Sequence, residues 1–157
     1  MTPEVVKGDM LDQRVDAIVN AWNRNIIPQW LLLPQGVSRA IRKRAGKQPF
    51  RELARHGPIP LGAAVVTSAG ELPYKAIIHV AGINLRWFAT EKSIKDSVVS
   101  AMRCAEELGM TSIALPIIGS GSGNRSRETA ITHMKSAFAG ISSGIRAVIV
   151  EYQPGSL

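Results

Sequence analysis

The feature that most constrains this chain is an apolar run that stops abruptly in three alternating glycines. The run covers residues 112–118, and Gly119, Gly121 and Gly123 follow it. Glycine tolerates positive φ and has no side chain to hold a ligand away, so successive backbone N–H groups can converge on an anion. A helix predicted from Ser126 would point its positive end at the same loop. We therefore expect a buried strand that opens into a phosphate-binding loop.

The glycine pattern alone does not identify a nucleotide site. It matches neither the phosphate loop that ends in Gly-Lys-Ser/Thr nor the Gly-x-Gly-x-x-Gly fingerprint. Plain turns after strands are also rich in glycine. The function therefore has to be inferred from other residues that share the same sheet edge.

Strands and helices alternate along the chain. Helices on both sides of the run at 112–118 predict a largely buried sheet with helices on both faces. In such sheets ligands bind outside the carboxyl ends of the strands, where segments 20–25 and 119–124 are expected. The predicted strands are 15–20, 63–67, 75–80, 112–118 and 146–152, and the predicted helices are 38–45, 90–108 and 126–139.

Composition bounds the class of protein. The 157 residues, 45% of them hydrophobic, suit one compact domain over 1–157. The single cysteine, Cys104, excludes an internal disulfide, and its place on an apolar helix face indicates core packing. The three histidines are scattered, so neither a metal nor a cofactor is predicted. No apolar run reaches the length of a membrane span, so we expect a cytoplasmic monomer without membrane contact.

Positive charge is concentrated in one segment. Of the 19 basic residues, which give the chain a net charge of +7, seven fall between Arg39 and Arg55 beside one acid, Glu52. They are Arg39, Arg42, Lys43, Arg44, Lys47, Arg51 and Arg55. A solvated helix face explains most such runs, and a contact with nucleic acid or another polyanion is the alternative. The spacing offers no aromatic interleaving for base stacking.

Five further segments occur in a telling order along the chain. They are 7–10 (Lys-Gly-Asp-Met), 15–23 (Val-Asp-Ala-Ile-Val-Asn-Ala-Trp-Asn), 61–67, 72–79 and 116–123. Together they resemble the macrodomain family of ADP-ribose-binding modules over nearly the whole chain. The resemblance implies an α/β fold, a three-layer α/β/α sandwich around a mixed, mostly parallel sheet of about six strands. It also implies binding of ADP-ribose or an ADP-ribosylated substrate, and hydrolysis of ADP-ribosyl or acyl-ADP-ribose linkages on protein, nucleic acid or small molecules.

The resemblance assigns binding residues position by position. Asp9, beside the backbone of Met10, matches the acid that accepts a hydrogen bond from the adenine amino group, and a turn cap is the alternative. Asn23 corresponds to the asparagine that holds the distal ribose. Asn20 is counted among the ligand-binding residues, where it is expected to stabilise the loop backbone. Tyr152 corresponds loosely to an aromatic against adenine. The loop expected around the diphosphate comprises Gly119, Ser120, Gly121, Ser122, Gly123 and Asn124.

The first ligand loop departs from the family pattern. The family's hydrolases have a glycine run and then Val-Asp at a helix start, where this chain has Gly36, Val37 and Ser38. Ser38 replaces the acid thought to position or activate water, and a serine is no effective base. Ser38 and Asn23, which would orient the substrate, are the catalytic candidates. The loop is also longer, by the apolar segment 26–34 around Trp30, which would be a lid, plain packing or a partner surface.

Without that acid, two routes to water activation stay open. The diphosphate of the ligand could hold the water, or Asp12, Asp16 or His79 could approach the site, although His79 on a buried strand is expected to be a core histidine. Arg125 and Arg127 are candidates to clamp phosphate, or are simply exposed. Three functions remain: an ADP-ribosyl hydrolase, a reader that binds ADP-ribose without cleaving it, and a nucleic-acid-binding protein that uses residues 39–55.

Overall fold

The computed structural model describes residues 1–26, 36–84, 86–120 and 126–153. The strands are β1 (Glu4–Gly8), β2 (Ala17–Trp22), β3 (Ala64–Thr67), β4 (Ala76–Ala81), β5 (Ser112–Pro116) and β6 (Arg146–Tyr152). The helices are α1 (Gly36–Ala45), α2 (Gln48–His56), α3 (Glu91–Glu107) and α4 (Arg127–Ala139), and a single 3-10 turn covers Met10–Asp12.

The six strands form one sheet in the order β1-β6-β5-β2-β4-β3. All neighbours are parallel except β3, which runs antiparallel to β4 at the edge. Helices cover both faces, as a mostly parallel sheet requires. The three-layer α/β/α fold implied by the resemblance is therefore confirmed.

The helices are divided two and two between the faces of the sheet. Val19 and Ile78 point into a core shared with α3 and α4, while their neighbours Ile18 and Ile77 point into the core under α1 and α2. The two helices that flank β5 in the sequence thus share one face. Right-handed crossovers explain this, because the connections from β4 to β5 and from β5 to β6 both step toward β1. The path from β2 through α1, α2 and β3 to β4 steps the other way.

Two elements were missed by the sequence prediction. β1 is an edge strand with exposed Glu4 and Lys7, so it has no continuous apolar run. α2 spans 9 residues and buries only Pro49, Phe50 and Leu53, too few for a clear helical period. The predicted strand at 15–20 instead covers Ala17–Trp22, and the one at 112–118 ends at Pro116, after which a turn begins.

Phe50 fastens α2 to the sheet close to the ends of β2 and β4. Its ring meets Trp22 edge-on at 5.6 Å and His79 at 5.8 Å between centroids. The guanidinium of Arg42 lies over the same ring, 5.6 Å from its centroid. Contacts of this kind add to the burial of the ring itself. The α1–α2 pair is therefore anchored beside the carboxyl ends of two central strands.

Two predictions from composition can be compared with the structure. Cys104 packs against the core under α3, and burial raises the pKa of its thiol, so the prediction of core packing is confirmed. Within the described ranges, no helix combines the length and the apolar character needed to cross a bilayer.

Candidate functional site

The candidate site lies where β2 and β5 end side by side. These strands are adjacent and parallel, yet the chain leaves β2 toward α1 on one face and leaves β5 toward α4 on the other. A crevice opens at such a point because the two connections diverge. Residues 23–25 border it on one side and residues 117–120 on the other.

The same edge of the sheet carries two more strand ends. Gly8, the last residue of β1, pairs with Tyr152, the last described strand residue of β6, and Asp9 follows directly. Three strand spacings separate β1 from β2, or about 14 Å at ~4.8 Å each. The predicted binding residues Asp9, Tyr152, Ser120 and Asn23 therefore form a row along one edge. Such a row suits an elongated ligand.

At one end of this row, Asp9 caps the 3-10 turn. Its Oδ1 accepts a hydrogen bond from the N–H of Leu11 at 2.8 Å, so the capping alternative is realised. Among the described residues only this carboxylate oxygen is used, which leaves the other as an acceptor on a partly exposed side chain. Met10 is buried, and its carbonyl accepts a hydrogen bond from the Tyr74 hydroxyl at 3.4 Å.

At the other end, Asn25 holds the loop that presents Asn23. Asn25 has a φ of 58°, and its Nδ2 donates to the carbonyls of Leu53 at 2.7 Å and Gly57 at 2.9 Å. Its Oδ1 accepts from Trp22 Nε1 at 3.3 Å, and its N–H donates to Asn23 Oδ1 at 2.7 Å. Sequence reasoning missed Asn25, although asparagine is enriched at positive φ. The loop geometry around Asn23 is thus set by one neighbouring asparagine.

A buried chain of hydrogen bonds leads from the crevice into the sheet. Ser38 Oγ donates to Asn20 Oδ1 at 2.6 Å, and Asn20 Nδ2 lies 3.0 Å from His79 Nδ1. His79 Nε2 in turn lies 2.8 Å from Thr67 Oγ1, which donates to the carbonyl of Ser68 at 3.0 Å. Because an amide nitrogen can only donate, Nδ1 accepts and Nε2 carries the proton. Every donor in this series of hydrogen bonds then points from Ser38 toward Ser68.

This buried series of hydrogen bonds changes the interpretation of two predicted residues. Asn20 bonds to the side chains of Ser38 and His79, so the expectation that it stabilises loop backbone is wrong. It is also fully buried, so its place among the ligand-binding residues is wrong as well. His79 has both ring nitrogens satisfied, and burial lowers its pKa to about 3. The prediction of a core histidine is confirmed, and His79 has no exposed surface with which to reach a ligand.

On the β5 side, Gly119 is required by both backbone and packing. Its φ is 94°, and an added Cβ would lie 2.8 Å from Ala89 Cβ and 3.0 Å from Ile94 Cδ1. Ser120 Oγ donates to the carbonyl of Ile117 at 3.2 Å, which tightens the turn. The predicted loop residues Gly121, Ser122, Gly123 and Asn124 lie outside the described ranges, as does the candidate phosphate clamp Arg125. The same holds for residues 27–34 of the apolar segment.

Two helices begin at this edge. Gly36, with a φ of 55°, is the exposed first residue of α1; Val37 is partly buried, and Ser38 is buried. Ser126 caps α4, where its Oγ accepts from the N–H of Thr129 at 3.2 Å. Helix starts carry partial positive charge. Both helices that leave the crevice therefore begin beside it.

Two charged candidates are committed to other partners. Asp16 precedes β2 at the opposite edge of the sheet, where hydrogen bonds from Thr111, together with nearby Lys75, hold the pKa of its carboxyl below the usual value. The idea that Asp16 approaches the ligand is therefore wrong. Arg127 Nη1 lies 3.0 Å from Glu151 Oε1, so its charge is paired on the surface.

The fold and the crevice define a mostly parallel α/β protein with a switch point between β2 and β5, the place where ligands bind in this class of fold. The chain belongs to the macrodomain family, because the family model of the Macro domain matches residues 19–134. An uncharacterized protein of Sulfurisphaera tokodaii is 38% identical over 125 residues, which cover 77% of this chain and 65% of that protein. One of Pyrobaculum aerophilum is 36% identical over 148 residues, covering 92% of this chain and 78% of that protein. The chain thus spans somewhat less than two thirds of the first relative.

Solved structures resemble the chain in fold. A variant of the Oceanobacillus iheyensis macrodomain superposes with a TM-score of 0.81 at 23% identity, covering 96% of this chain and 84% of that one. A second variant, solved with ADPR, gives 0.76 at 25% identity, covering 94% and 83%. The same macrodomain with ADP gives 0.74 at 24% identity, covering 94% and 81%. The last two of these structures contain ADPR and ADP, respectively.

Proposed function

We propose that this chain binds ADP-ribose along the carboxyl ends of β1, β6, β5 and β2. The observation that supports this most is the row of Asp9, Tyr152, Ser120 and Asn23, interrupted only by the crevice between β5 and β2. Asp9 would accept from the adenine amino group, and Tyr152, one strand away, would lie against the base. The distal ribose would then reach Asn23, whose amide nitrogen is a donor for its hydroxyls.

The diphosphate would occupy the centre of this row. The backbone at Gly119 and at Ser38 is held in place before the ligand arrives, by close packing at Gly119 and by the hydrogen bonds of Ser38. Preorganised donors bind an anion without the entropy loss of ordering them. Gly36, Val37, Ser38 and the loop from Gly119 to Asn124 are the proposed diphosphate contacts.

We propose further that the bound substrate is hydrolysed at the distal ribose, either as an ADP-ribosyl or as an acyl-ADP-ribose linkage. Asn23 would orient the ribose. Ser38 cannot serve as the base, since a neutral hydroxyl is only weakly basic and its single proton is directed to Asn20 Oδ1. Asp16 lies at the opposite end of the strands and His79 is fully buried, so neither can act as the base. Asp12 follows β1 at the adenine end. The diphosphate of the ligand is the group left to hold the attacking water.

A reader that binds ADP-ribose without cleaving it is the second candidate. Ser38 favours the reader, because it replaces the acid of the family's hydrolases and its hydroxyl has a structural role as a donor to the buried Asn20. A reader needs the same row of binding groups but no water-activating group. The two candidates therefore predict equal binding and different turnover.

Calorimetry with ADP-ribose, AMP and ATP tests the binding proposal. ADP-ribose should bind more tightly than AMP, because AMP lacks the groups that reach Asn23 and the central amides. Asn23→Ala should weaken ADP-ribose binding and leave AMP binding unchanged. Gln48→Ala, which removes an exposed amide on α2, serves as the matched control. Equal affinity for AMP and ADP-ribose would contradict the proposal.

Incubation with ADP-ribosylated protein, ADP-ribosylated DNA and acetyl-ADP-ribose tests turnover. The hydrolase predicts release of ADP-ribose from at least one substrate, with the rate reduced in Asn23→Ala more than binding is. If no substrate is cleaved while ADP-ribose binds, the reader is correct. A single domain over 1–157, a cytoplasmic location and a monomeric state remain part of this proposal.

A further inference from the structure

Almost the whole net charge of the protein resides in one pair of helices. Residues 39–55 hold seven of the 19 basic residues and one of the 12 acidic residues, so they carry +6 of the total +7. The other 140 residues carry 12 basic and 11 acidic residues, a balance of +1. The remainder of the chain is thus nearly neutral, and α1 with α2 forms its charged pole.

Most charges of this pole are exposed and have no acidic partner among the described residues. Arg42 lies over Phe50. Six cations are exposed, and no described acid lies within ion-pair distance of any of them: Arg39, Lys43, Arg44, Lys47, Arg51 and Arg55. We call these six residues the basic face.

Two comparisons show that the basic face is left unneutralised by its described surroundings. Glu52, the only acid of the segment, accepts hydrogen bonds from the backbone N–H and the hydroxyl of Ser68. On α3, by contrast, Lys92 pairs with Asp96, and Lys95 pairs with Glu91. Concentrated positive potential of this kind attracts polyanions and raises their rate of association.

The basic face adjoins the crevice at both of its ends. Arg39 follows Ser38, which bonds to Asn20 and to the carbonyl of Ala21 at the end of β2. Arg55 lies in the last turn of α2, whose C-cap Gly57 accepts from Asn25 Nδ2. The first and last cations of the face thus lie on helix turns that adjoin the loop of Asn23.

We infer that the basic face binds the phosphate backbone of a nucleic-acid strand, and that this strand is the carrier of the ADP-ribosyl group presented to the crevice. The second half of this inference rests on the proposed function. None of the large apolar side chains of residues 39–55 is exposed, whereas protein interfaces depend on buried aromatic and aliphatic anchors. Phosphate-backbone binding needs only an array of cations.

Fluorescence anisotropy with labelled strands of about 20 nucleotides tests the first half. Single-stranded DNA, RNA of the same sequence and duplex DNA are the three nucleic-acid probes, and polyglutamate of matched charge is the fourth. Binding of a nucleic acid with a log affinity that falls linearly with log salt is expected. Polyglutamate bound as tightly as every nucleic acid would overturn the inference in favour of an acidic protein partner. Absence of binding to all three nucleic acids at low salt would also overturn it.

The matched variants are two double substitutions that remove equal charge from opposite faces. Lys43→Gln with Arg51→Gln should weaken strand binding about tenfold or more and lower the salt slope by about 1 for each phosphate that is no longer neutralised. Lys92→Gln with Lys95→Gln on α3 should change strand binding less than about twofold. Equal losses of affinity in the two variants would overturn the inference, because they would reflect net charge alone.

A strand modified with ADP-ribose separates this inference from the proposed function. It should bind more tightly than the plain strand, and free ADP-ribose should remove only the additional affinity. Both double variants should bind free ADP-ribose as the wild type does. If ADP-ribose is not bound but plain strands are, the proposed function fails and the basic face stands. If ADP-ribose is bound and the strand modification adds nothing, the carrier role is refuted.

Discussion

The Asn20 amide nitrogen lies 3.0 Å from His79 Nδ1, and both side chains are completely buried on neighbouring strands. The two residues are direct partners in the parallel register of β2 and β4. Through Ser38 and Thr67 they connect the wall of the crevice to the far edge of the sheet. All donors in this series of hydrogen bonds point from Ser38 toward Ser68, so its direction is fixed. Substitutions and pH changes that alter one donor or acceptor should therefore change stability in a predictable direction.

Stability should fall in mild acid because His79 must stay neutral in the fold. Its pKa is lowered by burial from 6.5 to about 3, so the unfolded chain binds the proton more readily than the folded one. The contribution is complete above pH 6.5 and is lost progressively as pH falls toward 3. The slope approaches about 1.4 kcal/mol per pH unit. Urea unfolding at pH 7, 6, 5 and 4 measures it.

His79→Gln is the control for this pH dependence. Glutamine has an acceptor for Asn20 and a donor for Thr67 but takes up no proton in this range. The variant should be less stable than the wild type at pH 7, and its stability should change less between pH 7 and 5. An unchanged slope would assign the acid sensitivity to other groups.

Ser38→Asp should destabilise the protein and should not create a hydrolase of higher turnover. Ser38 donates to Asn20 Oδ1, and a carboxylate has no proton to donate there. If the Asn20 amide turned to donate to the new carboxylate, every hydrogen bond in the series would have to reverse, and the carbonyl of Ser68 would lose its bond from Thr67. We expect a loss of about 1–3 kcal/mol in the free energy of unfolding. Ser38→Thr, which keeps the hydroxyl, should lose less, and a fully stable Ser38→Asp would disprove the assigned polarity.

Gly119→Ala should reduce both stability and ligand affinity. The added methyl group requires an alanine at a φ of 94° and lies 2.8 Å from Ala89 Cβ. Overpacking and backbone strain together predict a loss of about 1–3 kcal/mol. Gly144→Ala, where a Cβ meets nothing within 4 Å, should stay within about 0.5 kcal/mol of the wild type. Thermal unfolding and ADP-ribose calorimetry on both variants check this, and equal effects would count against it.

Asn25→Ala should disorganise the loop that carries Asn23. It removes two donors, one acceptor and a residue type that tolerates a φ of 58°. At about 0.5–1.5 kcal/mol for each hydrogen bond, the loss should be roughly 2–4 kcal/mol. Asn25→Asp keeps the acceptor for Trp22 but places a carboxylate oxygen against the carbonyls of Leu53 and Gly57, so it should be at least as unstable as Asn25→Ala in urea unfolding. ADP-ribose affinity should decline in the same order, and an unaffected affinity would show that Asn23 is positioned by other contacts.

Local sequence patterns were sufficient to predict most strands of the sheet. β4, β5 and β6 are mainly apolar because both of their faces are buried, and such runs are visible in a sequence even though His79 interrupts β4. β1 and α2 were missed because an exposed edge strand and a 9-residue helix bury too little to show a period. The sequence also could not assign α3 and α4 to one face, because that depends on the direction in which each crossover steps.

Some residues of the candidate site could be predicted from the sequence, and others could not. The glycine pattern and the resemblance pointed to Asp9, Asn23 and the loop after β5, whose positions follow from chain order at the ends of parallel strands. Asn25 was missed, and Asn20 was given the wrong partners. Both residues act through contacts with segments distant in the chain, Leu53 for one and His79 for the other.

The sequence by itself determined an α/β chain of the macrodomain family with a glycine turn after one strand and a cluster of positive charge. Hydrophobic periodicity and backbone freedom are local properties, and they can be inferred from neighbours along the chain. Only the tertiary structure decided that Ser38, Asn20 and His79 share buried hydrogen bonds, and that α1 begins and α2 ends beside the loop of Asn23. Partner choice and charge neutralisation depend on distances across the sheet, and folding alone fixes those distances.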